Sequence, residues 1–109
     1  MDAIIKAGAT AIIAGNDFFA RDYYYWFTIM GIGIPDRISM ISFDNQPEFF
    51  TYPMSTIDFG FSRLGYQAAH ILIGDIPMHA DAEGQLPGAC TLVDRGSIGP
   101  PGHAHVRTG

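Results

Sequence analysis

Two short apolar runs, each closed by a polar group, constrain this chain more than any other feature. The first is Ala11-Ile12-Ile13-Ala14, ended by Gly15-Asn16-Asp17. The second runs from Ile38 to Phe43 and is ended by Asp44-Asn45. Runs that are apolar on both faces read as buried strands. The segment between them reads as a helix from about Phe18 to Met30. Asn16 or Asp17 can cap its start, and Gly31, Gly33 and Pro35 prevent its continuation. Strand, helix and strand make a βαβ unit with parallel strands and a right-handed crossover. Both polar ends then emerge on one rim, at the carboxyl ends of the strands, where open α/β sheets hold ligands.

The remaining segments extend this pattern. Ala3 to Ala7 reads as the tail of a helix stopped by Gly8. From Asp44 to Pro53 the chain is irregular, because Pro47 and Pro53 forbid regular pairing, and Phe49, Phe50 and Tyr52 in such a loop need a surface to cover. Ser55-Thr56-Ile57 reads as a short extended piece. Asp58 can cap a second helix from Phe61 to Ile73, stopped by Gly74. Its apolar stripe is Phe61, Leu64, Ala68 and Ile71 or Leu72, with Arg63, Gln67 and His70 facing water. Met78 to Gly88 is a polar surface loop, and Cys90 to Val93 a last strand. Beyond it, residues 99–109 offer only Val106 for burial and are expected to form a flexible tail. The order of elements is that of an α/β fold with a parallel sheet, too small for this chain to cover on both faces.

The first long helix is unusual. Phe19, Tyr23, Trp26 and Met30 recur at helical spacing and predict one buried stripe. Phe18, Tyr24, Tyr25, Phe27 and Ile29 make the other faces apolar too. One face should pack on the sheet, while another meets either a second subunit or further parts of a larger chain.

Composition excludes several functions. The net charge of −5, with six basic residues scattered along the chain, argues against a nucleic-acid-binding surface. Asp17, Arg21 and Asp22 interrupt the first window that could approach a membrane span. Met1-Asp2-Ala3 lacks the basic region and apolar core of a secretion signal. The single Cys90 leaves no internal disulfide and no cysteine zinc cluster. Of the histidines, His70, His79, His103 and His105, the last two fall in the expected tail and read as a solvated end. No Gly-rich phosphate loop follows a strand, and none of Ser39, Ser42, Ser55 and Ser62 sits in a nucleophile elbow. The chain is therefore read as a non-enzyme without metal or cofactor. Asp44 and Asn16 each carry two readings. The Asp44 carboxylate can accept hydrogen bonds from ligand hydroxyls or form an Asx turn, and Asn16 can face a ligand or cap the helix. Their parallel placement after two strands is what raises the ligand reading.

Taken in order, these segments resemble the LacI/GalR family of bacterial transcriptional repressors. The matching segments are Ala11 to Asp17, Gly31 to Asn45 and Ser55-Thr56-Ile57. Leu64 to Ala69 is similar to that family's following helix, and Leu92 to Ser97 to its closing strand. The resemblance runs from about Thr10 to Ser97. It implies a partial periplasmic-binding-protein-like (type I) fold, mainly the C-terminal lobe, with residues 1–98 belonging to an effector-binding domain. Residues 58–89 would cross to an N-terminal lobe. It implies further that Asn16 and Asp44 face the cleft and bind a sugar or similar small metabolite. Phe59, at a position where the family often has glutamine, would line the cleft. The family usually carries glycine at the position of Ser42 and a second aspartate at that of Asn45. An aromatic homodimer contact through Tyr23, Trp26, Phe27 and Tyr52 is expected. So are a cytoplasmic location and operator-DNA binding only through a helix-turn-helix that has no counterpart here. A fragment of a periplasmic sugar-binding protein of a transporter, which shares the fold, is the alternative.

Overall fold

β1 (Ala11–Ile13) and β2 (Ser39–Phe43) lie side by side and parallel, with Ile12 opposite Met40. The computed structural model describes residues 2–49, 51–86 and 88–101. β3 (Ser55–Asp58) joins β2 in parallel, with Ser42 opposite Thr56, so the piece expected only as extended is a full sheet member. β4 (Thr91–Val93) closes the sheet antiparallel to β3, giving the order β1-β2-β3-β4. The architecture is α/β, as the alternation of elements predicts.

α2 (Asp17–Ile29) covers one face of this sheet, and α1 (Asp2–Lys6) adds Ile4 and Ile5 to the same core. The core is small: Ala14, Ala20, Phe27, Ile38, Met40 and Met54 are buried, with Ile12, Tyr23, Tyr24 and Trp26 packed partly against them. Strand side chains alternate between faces. Met40, Ser42 and Thr56 therefore point towards α2, while Ile13, Ile41 and Leu92 point away. That second face is open at Ile13 and Leu92, which are 72% and 51% exposed, whereas Ser39 and Ser55 on it are buried beneath the segment that follows β4.

The buried stripe of α2 differs from the expected one. Asp17, Ala20 and Phe27 are buried, whereas Phe19 and Met30 are about half exposed. The shift has a steric reason. The small Ala20 lets the helix approach the sheet closely, and ring size gives no direction on a helix that is aromatic on every side.

The chain between β3 and β4 departs from the sheet altogether. Because β4 returns antiparallel to β3, everything between them lies beyond the carboxyl rim of the parallel strands. α3 (Phe61–Ile73) has no buried residue; Leu72 is 87% exposed. A compact chain of this length would have a radius of gyration of about 13 Å. The observed value is 18.6 Å, with extents of 67 × 30 × 21 Å. Residues 59–90 are thus a projecting arm. His70, expected to face water, is half-buried and bonded through Nδ1 to the Asp75 carboxylate at 2.8 Å.

After β4 the chain runs back beside the start of β2. The Ser97 hydroxyl, buried, donates to Met40 O at 2.6 Å and accepts from Ser55 N at 2.8 Å. Gly99 N donates to the Ser39 hydroxyl at 3.0 Å, and a Cβ on Gly99 would come within 3.2 Å of Pro35. Gly99 therefore belongs to the folded lobe and not to a tail. The rest of that expectation, including His103, His105 and Val106, falls on residues 102–109, outside the described residues.

Candidate functional site

Three parallel strands deliver three loops to one rim: residues 14–17 after β1, 44–46 after β2 and 59–60 after β3. The structure brings Asn16, Asp44 and Phe59 to that same edge. Each holds a different position there.

Asn16 is the N-cap of α2. Its Oδ1 accepts from Phe19 N at 3.0 Å, while its side-chain amide donates to no described residue. With Asn16 capping, Asp17 is free to turn inwards, and it does. The Asp17 carboxylate is buried and accepts from Thr56 Oγ1 at 2.8 Å, from Gln46 N at 2.7 Å and from the Ser42 hydroxyl. One carboxylate thus ties the start of α2 to β2, to β3 and to the loop after β2. Ser42, where the resembled family usually has glycine, supplies one of these donors.

Asp44 sits half-buried at the end of β2 with φ of 101°, and Asn45 follows with φ of 55°. Such angles are uncommon for residues with a Cβ and mark strain that the surroundings must hold in place. Asp44 N donates to Ile57 O at 2.9 Å, and the carboxylate accepts no hydrogen bond from any described residue. Beside it, the Phe43 and Phe59 rings stack with centroids 5.9 Å apart and planes 10° from parallel, and Phe61 extends the aromatic surface. The rim therefore carries the Asp44 carboxylate and the Asn16 amide, neither bonded to a described residue, and a pair of stacked aromatic rings. Such a set can hold a small neutral molecule by hydrogen bonds and by contact with a ring face.

Behind the rim lies a polar chain that sequence reasoning missed. Arg95 Nη2 donates to Asn45 Oδ1 at 2.7 Å, and Arg95 Nη1 donates to Met54 O at 3.1 Å. Asn45 Nδ2 donates to Asp58 Oδ2 at 2.8 Å, and Asp58 Oδ1 accepts from Gly60 N at 2.6 Å. The Gly60 amide, and after it the Asn45 amide, hold the Asp58 carboxyl below its usual range. Asp58 is not the cap of α3, as expected; Gly60 occupies that position, and Asp58 closes the turn before it. Asp94 is lowered in the same way, by the Gly96 amide and then the Ser55 hydroxyl. No periodic signal marks these residues: Arg95 lies 50 positions from Asn45 and 41 from Met54, and Asn45 lies 13 from Asp58.

The residues expected at a dimer contact separate by burial. Tyr23 and Trp26 are half-buried on the flank of α2. Tyr52 packs against Tyr24 at 4.9 Å and Tyr25 at 4.8 Å. Phe27 has no exposed surface; it is a core residue and cannot itself touch a partner. Nearer the N-terminus of α2, Arg21 lies over Phe18 at 4.7 Å and Phe49 at 5.4 Å. Phe50 is outside the described residues. Among the described residues no helix is long and apolar enough to cross a membrane, and no group of His, Cys, Asp and Glu converges as a metal site.

Comparison with known proteins bears on the family and the fold. Residues 2–98 match the family model for a periplasmic binding protein-like domain. The chain is 38% identical over 65 residues to the HTH-type transcriptional repressor PurR of Histophilus somni, covering 58% of this chain and 20% of that protein. Over 95 residues it is 30% identical to PurR of Pectobacterium atrosepticum, covering 85% of this chain and 28% of that protein. The crystal structure of a LacI-type transcription regulator from Bifidobacterium animalis subsp. lactis superposes with a TM-score of 0.71 at 29% identity. The superposition covers 91% of this chain and 37% of that one. The chain thus spans between a fifth and a third of the length of these curated relatives.

Proposed function

Because the chain belongs to the periplasmic binding protein-like domain family, in its LacI/GalR branch, we propose that it supplies the effector-binding part of a bacterial transcriptional regulator. The observation that carries this reading is Asp44. Its half-buried carboxylate stands on a strained turn at the carboxyl-end rim of the parallel strands, accepts no bond from the described residues, and directly follows Phe43 of the Phe43–Phe59 stack. A carboxylate so placed accepts from ligand hydroxyls with charge-assisted bonds. The free Asn16 amide donates to the same ligand, and the Phe59 ring covers it. A sugar or comparable small polar metabolite fits that chemistry.

In this reading the arm of residues 59–90 crosses to a second lobe, whose sheet covers the apolar side of α3 and whose loops complete the cleft. Two copies associate through the aromatic flank of α2, with Tyr23, Trp26 and Tyr52 at the contact and Phe27 supporting them from the core. Operator DNA is bound by another part of the regulator, in the cytoplasm. The relatives carry the names of repressors and regulators, which favours this reading over a transporter component.

Calorimetric titration of the complete regulator with a panel of neutral monosaccharides, disaccharides and polyols tests the site. Asp44→Ala should weaken the binding of any hit by about ten- to a hundredfold, the worth of a hydrogen bond to a charged group. Unchanged affinity removes Asp44 from the site. The isolated chain, with one side of the cleft, should bind the same hit far more weakly.

A further inference from the structure

We propose that Asn45 is a positioning residue: its amide locks the strained turn that carries Asp44 and ties that turn to the neck of the projecting arm. The turn needs such a lock. Asp44 and Asn45 both hold positive φ, a conformation that persists only where neighbouring contacts impose it. The Asp44 side chain has no described partner, so only the backbone of the turn aims it. Gln46 N is fixed by Asp17 and Asp44 N by Ile57 O. Between these two anchors, Asn45 is the one residue whose side chain is held at both ends.

The two ends reach different parts of the molecule. Oδ1 accepts from Arg95, which also grips Met54 O in the body of the lobe. Nδ2 donates to Asp58, whose other oxygen accepts from Gly60 N at the start of the arm. Arg63, in the first turn of α3, donates to Ala89 O across the neck at 3.0 Å. The chain passes from lobe to arm only at residues 59–60 and 89–90, so this network sits at the junction of arm and lobe. An amide is the group the position requires. It must accept from a guanidinium and donate to a carboxylate at once, and amides alone among neutral side chains of this size do both. An aspartate would satisfy Arg95 but set two carboxylates against each other at Asp58.

That the turn serves ligand capture rests on the reading of Asp44 proposed above; that Asn45 locks it does not, and the test separates the two. In the ligand-free chain, NMR reads the HN–Hα coupling of Asp44 and Asn45, which depends on φ, and the exchange rate of the Gly60 amide. Asn45→Asp should shift both couplings away from their positive-φ values and speed Gly60 exchange about tenfold, the scale of one charge-assisted bond. Adding Asp58→Asn exchanges donor and acceptor between the two positions, and both readings should return towards wild type. Phe19 N, bonded to Asn16, should stay unaffected in every variant. Asn45→Gly reaches positive φ without strain and should speed Gly60 exchange even if Asn45→Asp fails to fold. Couplings and exchange unchanged in Asn45→Asp, or changed and not restored by the exchange of partners, would overturn the proposal. A ligand that binds the complete regulator should bind Asn45→Asp about tenfold more weakly and recover in the exchanged pair. A ligand indifferent to Asn45→Asp while the ligand-free readings move as expected counts against the Asp44 reading and leaves the lock standing.

Discussion

Replacing Asp17 by asparagine probes the joint that holds the rim together. The carboxylate accepts from the hydroxyls of Ser42 and Thr56, both fully buried, and from the backbone of Gln46. Asparagine keeps the shape and one oxygen. That oxygen can still serve the two hydroxyls through the Oδ1 position, but the amide then turns two N–H donors towards Gln46 N–H. One charge-assisted bond is lost and a partly buried donor is left facing another donor, which costs about 2–3 kcal/mol. With a urea dependence of about 1–3 kcal/mol per molar for a small domain, the unfolding midpoint should fall by about 0.7–3 M. The single Trp26, half-buried against Phe27 at 5.1 Å, reports the transition by fluorescence, and far-UV circular dichroism checks that it is shared by the backbone. The neighbouring Asn16→Ala removes only the helix cap and should cost about 1 kcal/mol. A midpoint for Asp17→Asn no lower than that of Asn16→Ala would refute the assignment of Asp17 as the buried tie and return it to an ordinary first-turn acid.

Burial orders the aromatic residues of α2. Phe27→Ala should destabilise the chain by about 3–5 kcal/mol, since it empties a fully buried site, while Phe19→Ala should stay within about 0.5–1 kcal/mol; comparable losses in urea unfolding would restore the stripe read from the sequence. The acid limb of stability should follow Asp58 and Asp94. Both carboxyls are held below their ordinary values in the folded chain. Their contribution is therefore complete above the unfolded value of about 3.9 and disappears as pH falls through the depressed folded values. Asp94→Asn should flatten the fall in unfolding midpoint below about pH 4, the region in which unfolded aspartates titrate; a limb as steep as wild type would remove Asp94 from it.

Legibility in the sequence followed the range of the interaction. The βαβ unit was readable because strand runs, helix ends and turn residues are local: Gly31 with φ of 68° stops α2 and Gly74 with φ of 88° stops α3 where expected. Asn16 and Asp44 were found as strand-end polar groups for the same reason. Asp17 was seen only as a rival cap. Two adjacent residues on a helix start point about a quarter-turn apart, so one capping the helix sends the other elsewhere, and here elsewhere is the buried edge of the sheet. Asn45, Asp58 and Arg95 gave no sign of one another. Their partnership depends on β3 and β4 being neighbours and on the return of residues 94–99 across the foot of the sheet.

What the sequence by itself determined is the order of elements, the parallel pairing of β1 and β2, and the rim on which Asn16 and Asp44 stand. Backbone propensity and apolar periodicity act within a dozen residues, and those features need nothing longer. Tertiary structure alone decided which of the aromatic faces of α2 is buried, which of two adjacent polar residues enters the core, and how the strained turn after β2 is held. These are choices among groups of nearly equal local preference. They are settled by shape at Ala20, by the donors of Ser42 and Thr56 around Asp17, and by the guanidinium and carboxylate that meet at Asn45.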